Sequence, residues 1–537
     1  MTSTPDVVVI LVDDMGFSDL GCYGSEIATP HLDALAERGV RMSQFYNTAR
    51  CTPARASLLT GLHPHQTGIG VLVEPQEPLG YPGRLSERCV TMAEVLRDSG
   101  YGTYHSGKWH LTPSIQTPDG AWPTQRGFDR SYAMLAGATS YFQPQSISDE
   151  GQPVTEFADD FYLTTEIGER AAGFVTDHHA AQPDDPLFCY VAFTAPHWPL
   201  HAPEAAVEPY RATYDVGWDD LRRQRHAKQI ELGLLAPDWE TSDRDPAVPA
   251  WEAAAEQDWQ ARRMAVYAAQ VSLMDAAVGR VVQALRDTGR LDNTLLVFLS
   301  DNGGCAEEFD PRAPVRPLDR DRRTPAGLPV RRGNVPEIVP GADDTYTSYG
   351  VAWANVSNTP FREYKHWVHE GGIATPLIAH WPARLAGGRI DHTPGQLPDI
   401  MATVLEITGA SYPDTREGHD VPAPEGTSMW DGWQGRPVAD RDLYFEHEGN
   451  AAIRRGRWKL VRKYGQGWEL FDMAADRTEL HNLSAHNPEL VLELAAAWHR
   501  WADRCGVIDR ALVLASSPGR GSSSVGPFDS NPRRQDR

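Results

Sequence analysis

The run Cys51-Thr52-Pro53-Ala54-Arg55 places a thiol just ahead of a Thr-Pro step that can open a helix, with a guanidinium one turn further on. Leu58 and Leu59 continue the helix and Gly61 stops it. Cys51 then sits where unpaired N–H groups and the helix dipole favour an anion or a developing oxyanion. Arg55, on the same helical face, points back toward that spot. A buried, inert thiol is the alternative for a lone cysteine. Four further clusters follow apolar runs: Asp13-Asp14, Lys108 with His110, His197, and Asp301-Asn302. Ligands of open parallel sheets bind at the carboxyl ends of the strands, so these clusters belong on one edge. Asp and Asn also favour plain turns, which is the bland reading of each cluster alone.

Carboxylates gathered there repel by about 4 kcal/mol per close pair at an effective dielectric near 20. A cation between them is therefore expected. Oxygen ligands from Asp13, Asp14, Asp301 and the Asn302 side-chain carbonyl suit a hard divalent ion, calcium or magnesium, better than zinc. Arg55, Lys108, His110, His197 and Lys365 supply positive charge and proton transfer around an anion held by that ion. Without such a context Lys365 reads as a surface lysine and His197 as a loop histidine.

The elements that must position these groups alternate between strands and helices. Val7–Val12, Tyr101–His105, Leu187–Phe193, Leu295–Leu299 and Pro376–Trp381 are short apolar runs that read as buried strands. Thr29 and Pro30 open one helix, and Thr91 with Glu94 forms a capping box for another. Met264 to Leu285 is a long amphipathic helix, and 398–408 closes the first domain with a further one. The polar, Trp-dotted stretch 204–260 reads as an insertion or lid, and 305–360 as a long loop serving the site. Beyond Gly409, short segments separated by turns predict an antiparallel meander covered by a helix from Pro488 to Ala502. The expected fold class is α/β: a large, mainly parallel sheet sandwiched by helices over 1–410, with a small antiparallel-sheet domain over 411–515. Residues 516–537, rich in Ser, Gly, Pro and Arg, are expected to be disordered.

A chain of 537 residues is long enough to bury roughly 75% of its unfolded surface. With 50 Lys and Arg against 73 Asp and Glu, its net charge of −23 argues against a nucleic-acid or anionic-membrane partner. Val7–Val12 is too short for a signal core or a membrane span and has no basic residues ahead of it, so the chain is expected to start at Met1 or Thr2. Its 6 cysteines include no C-x-x-C pair, which points away from a disulfide framework and toward a reducing cytoplasm.

Taken in order, Val9-Ile10-Leu11-Val12-Asp13-Asp14, Cys51-Thr52-Pro53-Ala54-Arg55 with Leu58-Leu59-Thr60-Gly61, Gly107-Lys108-Trp109-His110, Ala195-Pro196-His197, Ser300-Asp301-Asn302-Gly303-Gly304 and Lys365 before Gly371-Gly372 resemble the type I sulfatases of the alkaline-phosphatase superfamily, in particular bacterial arylsulfatases. The resemblance spans most of residues 5–410, and the later meander is similar to the family's small C-terminal domain. It implies a sulfuric ester hydrolase in which a formylglycine-generating enzyme converts Cys51 to formylglycine. One hydroxyl of the hydrated aldehyde, activated by the metal and Asp301, would attack sulfur. His197 and Lys365 would serve the leaving oxygen, Arg55 and Lys108 would hold the sulfate, and His110 would take the proton that releases sulfate and restores the aldehyde. The implied metal ligands are Asp13, Asp14, modified Cys51, Asp301 and Asn302. Calcium is the ion relatives typically use, with magnesium or manganese also compatible. The competing assignments are a phosphonate or phosphate ester hydrolase of the same superfamily and a non-catalytic metal- and anion-binding module. The substrate's organic part and the oligomeric state are not legible.

Overall fold

The computed structural model describes residues 4–76, 78–312, 323–324 and 326–515. The expected disordered tail, and 313–322 and 325 of the long loop, lie outside the described residues.

Eleven strands form one sheet. They are β1 (Asp6–Val12), β2 (Val40–Tyr46), β3 (Gly102–Lys108), β4 (Arg130–Met134), β5 (Ile147–Asp149), β6 (Gln152–Val154), β7 (Leu187–Ala192), β8 (Thr294–Ser300), β9 (Ala374–His380), β10 (Arg389–Asp391) and β11 (Gly395–Gln396). Their order is β10-β2-β9-β8-β1-β7-β3-β4-β5-β6, with β11 beside β2. β8, β1, β7, β3 and β4 run parallel, while β9 is antiparallel to both β8 and β2. Every residue of β1 is buried because both faces of the sheet are covered. Val8, Ile10 and Val12 point into one apolar layer and Val7, Val9 and Leu11 into the other.

The helices that cover these faces are α1 (Pro30–Glu37), α2 (Cys51–Thr60), α3 (Met92–Asp98), α4 (Leu163–Ala181), α5 (Gly217–Glu231), α6 (Gln257–Asp287), α7 (Gly350–Ser357) and α8 (Pro398–Thr408). α1, α4 and α6 pack into the first layer, and α2, α3 and α8 into the second. α4 and α6 cross closely at Gly168, where a Cβ would come within 2.8 Å of the Ala277 side chain. The Thr91–Glu94 capping box forms as expected. Thr29 does not cap α1: its hydroxyl accepts from Gly21 N–H and donates to Asp33. The free amides of His31 and Leu32 go instead to the Asp275 carboxylate of α6, at 3.1 and 2.8 Å.

Segment 204–260 is packed down. Trp218 and Trp251 meet edge to face at 4.7 Å, and both contact Trp353 of α7 in the main core. That takes these tryptophans out of the pool that could greet a substrate. The 305–360 stretch likewise carries structure, since α7 within it is largely buried.

After α8 the chain first returns to the large sheet, where Met429 and Trp433 are buried in the second layer. The small sheet then runs β12 (Asp442–His447), β13 (Asn450–Arg455), β14 (Trp458–Arg462) and β15 (Glu469–Asp472), all antiparallel, under α9 (Pro488–Cys505). A buried ion network joins it to the large unit. Lys459 Nζ donates to Glu370 at 2.8 Å and lies 2.8 Å from Glu479 Oε1, Arg477 Nε reaches Glu370 at 3.2 Å, and Arg454 donates to the Tyr46 hydroxyl.

Candidate active site

Parallel register explains why distant residues meet. Val12 is level with Ser300, Leu11 with Ala192, and Gly107 with Ala192, so β8, β1, β7 and β3 end together. Asp13-Asp14, Asp301-Asn302, Lys108 and the loop carrying His197 emerge from that edge. Asp301 N–H donates to Val12 O at 3.0 Å and Asp13 N–H to Ala195 O at 3.1 Å, which ties the loops to one another. Asp14, Ala49 and His110 all hold positive φ, at 67°, 63° and 53°. Left-handed backbone at non-glycine residues costs about 1–3 kcal/mol each and concentrates at functional sites.

α2 opens at Cys51 itself rather than at the Thr-Pro step, after an extended Arg50 that provides no side-chain cap. It ends at Gly61, whose φ of 71° and N–H bond to Ser57 O make a left-handed cap. Cys51 and Arg55 are both buried. Arg55 Nη2 donates to Asp301 Oδ2 at 2.9 Å and lies 3.7 Å from Asp13 Oδ1, while Nη1 donates to Lys108 O at 3.0 Å. The other Asp301 oxygen accepts from Asp14 N–H at 3.1 Å. Lys108 Nζ donates to Asp13 Oδ2, and Lys365 Nζ donates to Asp14 at 2.7 Å. Asn302 Nδ2 donates to Asp14 Oδ1 at 2.7 Å, and His197 Nε2 lies 3.4 Å from Asp14 Oδ2. His110 Nδ1 stands 3.6 Å from Cys51 Sγ and 3.1 Å from the Thr52 hydroxyl.

All residues expected in the site are therefore assembled, with two differences in role. Lys108 and Lys365 are engaged with the aspartates, so the cationic balance comes in part from the chain's own side chains. Both oxygens of Asp301 are also engaged, whereas Asp13, Asp14 and His197 each bring a ligand atom within 4.8 Å of the others. The arrangement still fits a hard ion, because Asp13 Oδ1 and Asn302 Oδ1 are buried with no hydrogen-bond partner. Thr52 was not singled out by sequence, nor was the brace in which Glu307 accepts from Arg50 and Trp198 at 3.1 and 2.9 Å. Neither has a motif of its own, since each acts through a neighbour of a motif residue.

Burial pushes Asp301 well above the usual carboxylate range, and the charge of Asp13 adds to the rise. Burial also acts on Asp13, but Lys108, His197, Arg55 and Lys365 outweigh it and hold that carboxyl far below its ordinary value. Burial, with Lys108 and Arg55 alongside, keeps His110 well below the imidazole value, hence neutral. His197 falls to about 4, chiefly through burial. Its Nδ1 lies 2.7 Å from Trp198 O, a pure acceptor, so the neutral ring carries its proton on Nδ1 and leaves Nε2 bare toward Asp14. Burial works against the Lys365 ammonium, yet Asp14 raises it well above the ordinary lysine value and keeps it charged.

Comparison with known proteins agrees with this geometry. Residues 5–410 match the sulfatase family model, and 362–498 match that of the N-sulphoglucosamine sulphohydrolase C-terminal region. The chain is 33% identical to an uncharacterized sulfatase of Schizosaccharomyces pombe over 94% of both chains. It is 35% identical to an arylsulfatase of Klebsiella aerogenes over 75% of this chain and 87% of the relative. The solved structure of Ps i-CgsB in complex with k-i-k-neocarrahexaose superposes with a TM-score of 0.65, at 24% identity and 93% coverage of each chain, which supports the fold. With its buried aspartates and Cys51 gathered on one sheet edge, this chain belongs to the sulfatase family, the hydrolases of sulfate esters.

Proposed function

We propose that the chain is a formylglycine-dependent arylsulfatase that binds calcium and cleaves aryl sulfate monoesters to a phenol and inorganic sulfate. The observation that carries the reading is the pair of orphaned buried oxygens, Asp13 Oδ1 and Asn302 Oδ1, beside a cysteine at the first turn of α2. Asp13, Asp14, Asp301 and Asn302 would hold the ion. A divalent ion held there would supply Lewis-acid polarisation and charge neutralisation. Formylglycine there supplies, as its hydrate, two hydroxyls on one carbon, one to attack and one to permit release.

The chain's own residues do the rest. Neutral His110, oriented by Thr52, accepts a proton from side chain 51. The Arg55 guanidinium and the Lys108 ammonium stabilise charge on the sulfate oxygens. The Lys365 ammonium is the acid for the departing oxygen at neutral pH, because the neutral His197 ring carries no proton on Nε2. The aryl assignment is supported by the Klebsiella relative and by aromatic rings next to His197. Trp198 lies tilted against the His197 ring, with centroids 4.2 Å apart, and meets Phe309 and Tyr346 at 5.1 and 5.7 Å. All 6 cysteines are unpaired, in keeping with a cytoplasmic enzyme.

The discriminating experiment compares 4-nitrophenyl sulfate with 4-nitrophenyl phosphate, an aryl phosphonate ester and a 6-O-sulfated amino sugar. Highest kcat/KM on the aryl sulfate is expected. Preference for phosphorus esters would reassign the enzyme within the superfamily, and preference for the sugar would overturn the aryl reading alone.

A further inference from the structure

Beside the catalytic edge lies a second group of metal-ligating side chains that the sulfatase chemistry does not use. His447 ends β12, and Glu448-Gly449 turn the hairpin into β13. The tip of this hairpin docks on the loop that follows Lys365. His366 N–H donates to Ala49 O at 2.7 Å, and Asn450 Nδ2 donates to His447 O at 2.9 Å and to His366 O at 3.4 Å. The Asn450 side chain thus ties the hairpin to the loop.

On this frame, His366, His447 and Glu448 each present a ligand atom within 4.8 Å of the other two. Glu448 Oε2 and His366 Nδ1 are 3.3 Å apart. Ligand atoms about 2.1 Å from a tetrahedral ion are separated by about 3.4 Å, so this pair already has the spacing of a shared ion. The other Glu448 oxygen accepts from Arg510 at 2.9 Å, an outer contact of the kind that orients a ligating carboxylate. His447 is 1% exposed and its Nδ1 is buried with no hydrogen-bond partner. A buried imidazole nitrogen left unpaired is costly, and coordination would satisfy the ring. The His366 side chain is 26% exposed, which leaves a way in for an ion and room for a fourth ligand from solvent.

We propose that His366, His447 and Glu448 form a second metal site, separate from the Asp13 and Asp14 cluster, that takes a transition-metal dication of the zinc type. Two imidazoles and one carboxylate select zinc, or cobalt in its place, over calcium, whereas the oxygen-rich cluster has the opposite preference. The two sites are therefore chemically distinguishable in one molecule.

The test titrates zinc into the full chain held in excess calcium, following heat of binding and calcium release, and repeats the titration with cobalt to read its visible absorption. Expected are uptake of zinc at one ion per chain without calcium release, and the intense visible band of low-coordinate, imidazole-bound cobalt. H366Q and E448Q should each weaken zinc binding by at least about tenfold. H366Q replaces a partly exposed side chain, so it reports on the site even if H447Q, at a buried position, fails to fold. Zinc uptake that only displaces calcium, zinc affinity unchanged in both H366Q and E448Q, or no uptake at all would each overturn the proposal.

Discussion

Replacing Lys365 by alanine removes the ammonium that sits 2.7 Å from the Asp14 carboxylate, with both side chains almost wholly buried. What remains around Asp14 is the Asn302 amide and an imidazole 3.4 Å away whose facing nitrogen carries no proton. Breaking a buried pair by removing one partner costs about 3–5 kcal/mol. At about 2.1 cal/mol/K per residue, a chain of 537 residues unfolds with an entropy of about 1.1 kcal/mol/K. The loss therefore lowers the melting temperature by about 3–4 °C in chelator. A divalent ion restores the missing charge to Asp14, so calcium should recover most of that loss, and the variant should gain more stability from calcium than the wild type does. Activity should fall as well, with kcat on an aryl sulfate dropping by about 10²–10⁴ if Lys365 is the acid for the leaving oxygen as proposed. Thermal unfolding with and without calcium, alongside initial rates, reads both effects. A stability loss that calcium does not lessen, or retention of wild-type turnover, would refute the reasoning.

Other parts of the molecule carry predictions of their own. His63 and His105 are buried as neutral rings with values of about 3, set first by burial, against 6.5 for a free imidazole. The unfolded chain then binds more protons below about 6.5, so stability is full above that pH and declines toward about 3, by about 1.4 kcal/mol per pH unit for each such histidine. Unfolding midpoints that stay flat from pH 7 to 5 would contradict this. K459M strands Glu370 and Glu479, now paired with Lys459 at 2.8 Å. It should cost about 3–5 kcal/mol of stability by thermal unfolding while leaving kcat near the wild-type value, because the pair lies at the seam between the sheets; loss of turnover in the folded variant would show that the seam governs the site.

How far the sequence reveals this molecule depends on how local each signal is. β1, β7 and β8 are continuous apolar runs because both faces of their strands are covered, so their identity survives in the sequence alone. β2 alternates Arg41, Ser43 and Gln44 with apolar residues near the sheet margin and carries no such run. α4 hides its stripe of Leu163, Ile167, Ala171, Phe174 and Val175 among threonines, glycines and charges, so its sequence carries no clear helical signal. The candidate site residues are legible because motif and strand end coincide at Asp13-Asp14, Lys108 and Asp301-Asn302. What was not legible is pairing across the chain: Asp275 capping α1, Lys365 seated on Asp14, and Thr52 holding His110 all depend on the register of elements far apart in sequence.

In the proposed chemistry Cys51 is the precursor of the reactive group. The most direct test is the mass of the tryptic peptide Cys51–Arg55 from protein purified out of the natural host and assayed on an aryl sulfate. Expected is the lighter aldehyde form, in an amount that tracks specific activity from one fraction to the next. A fully active fraction in which this peptide carries only the thiol would contradict it.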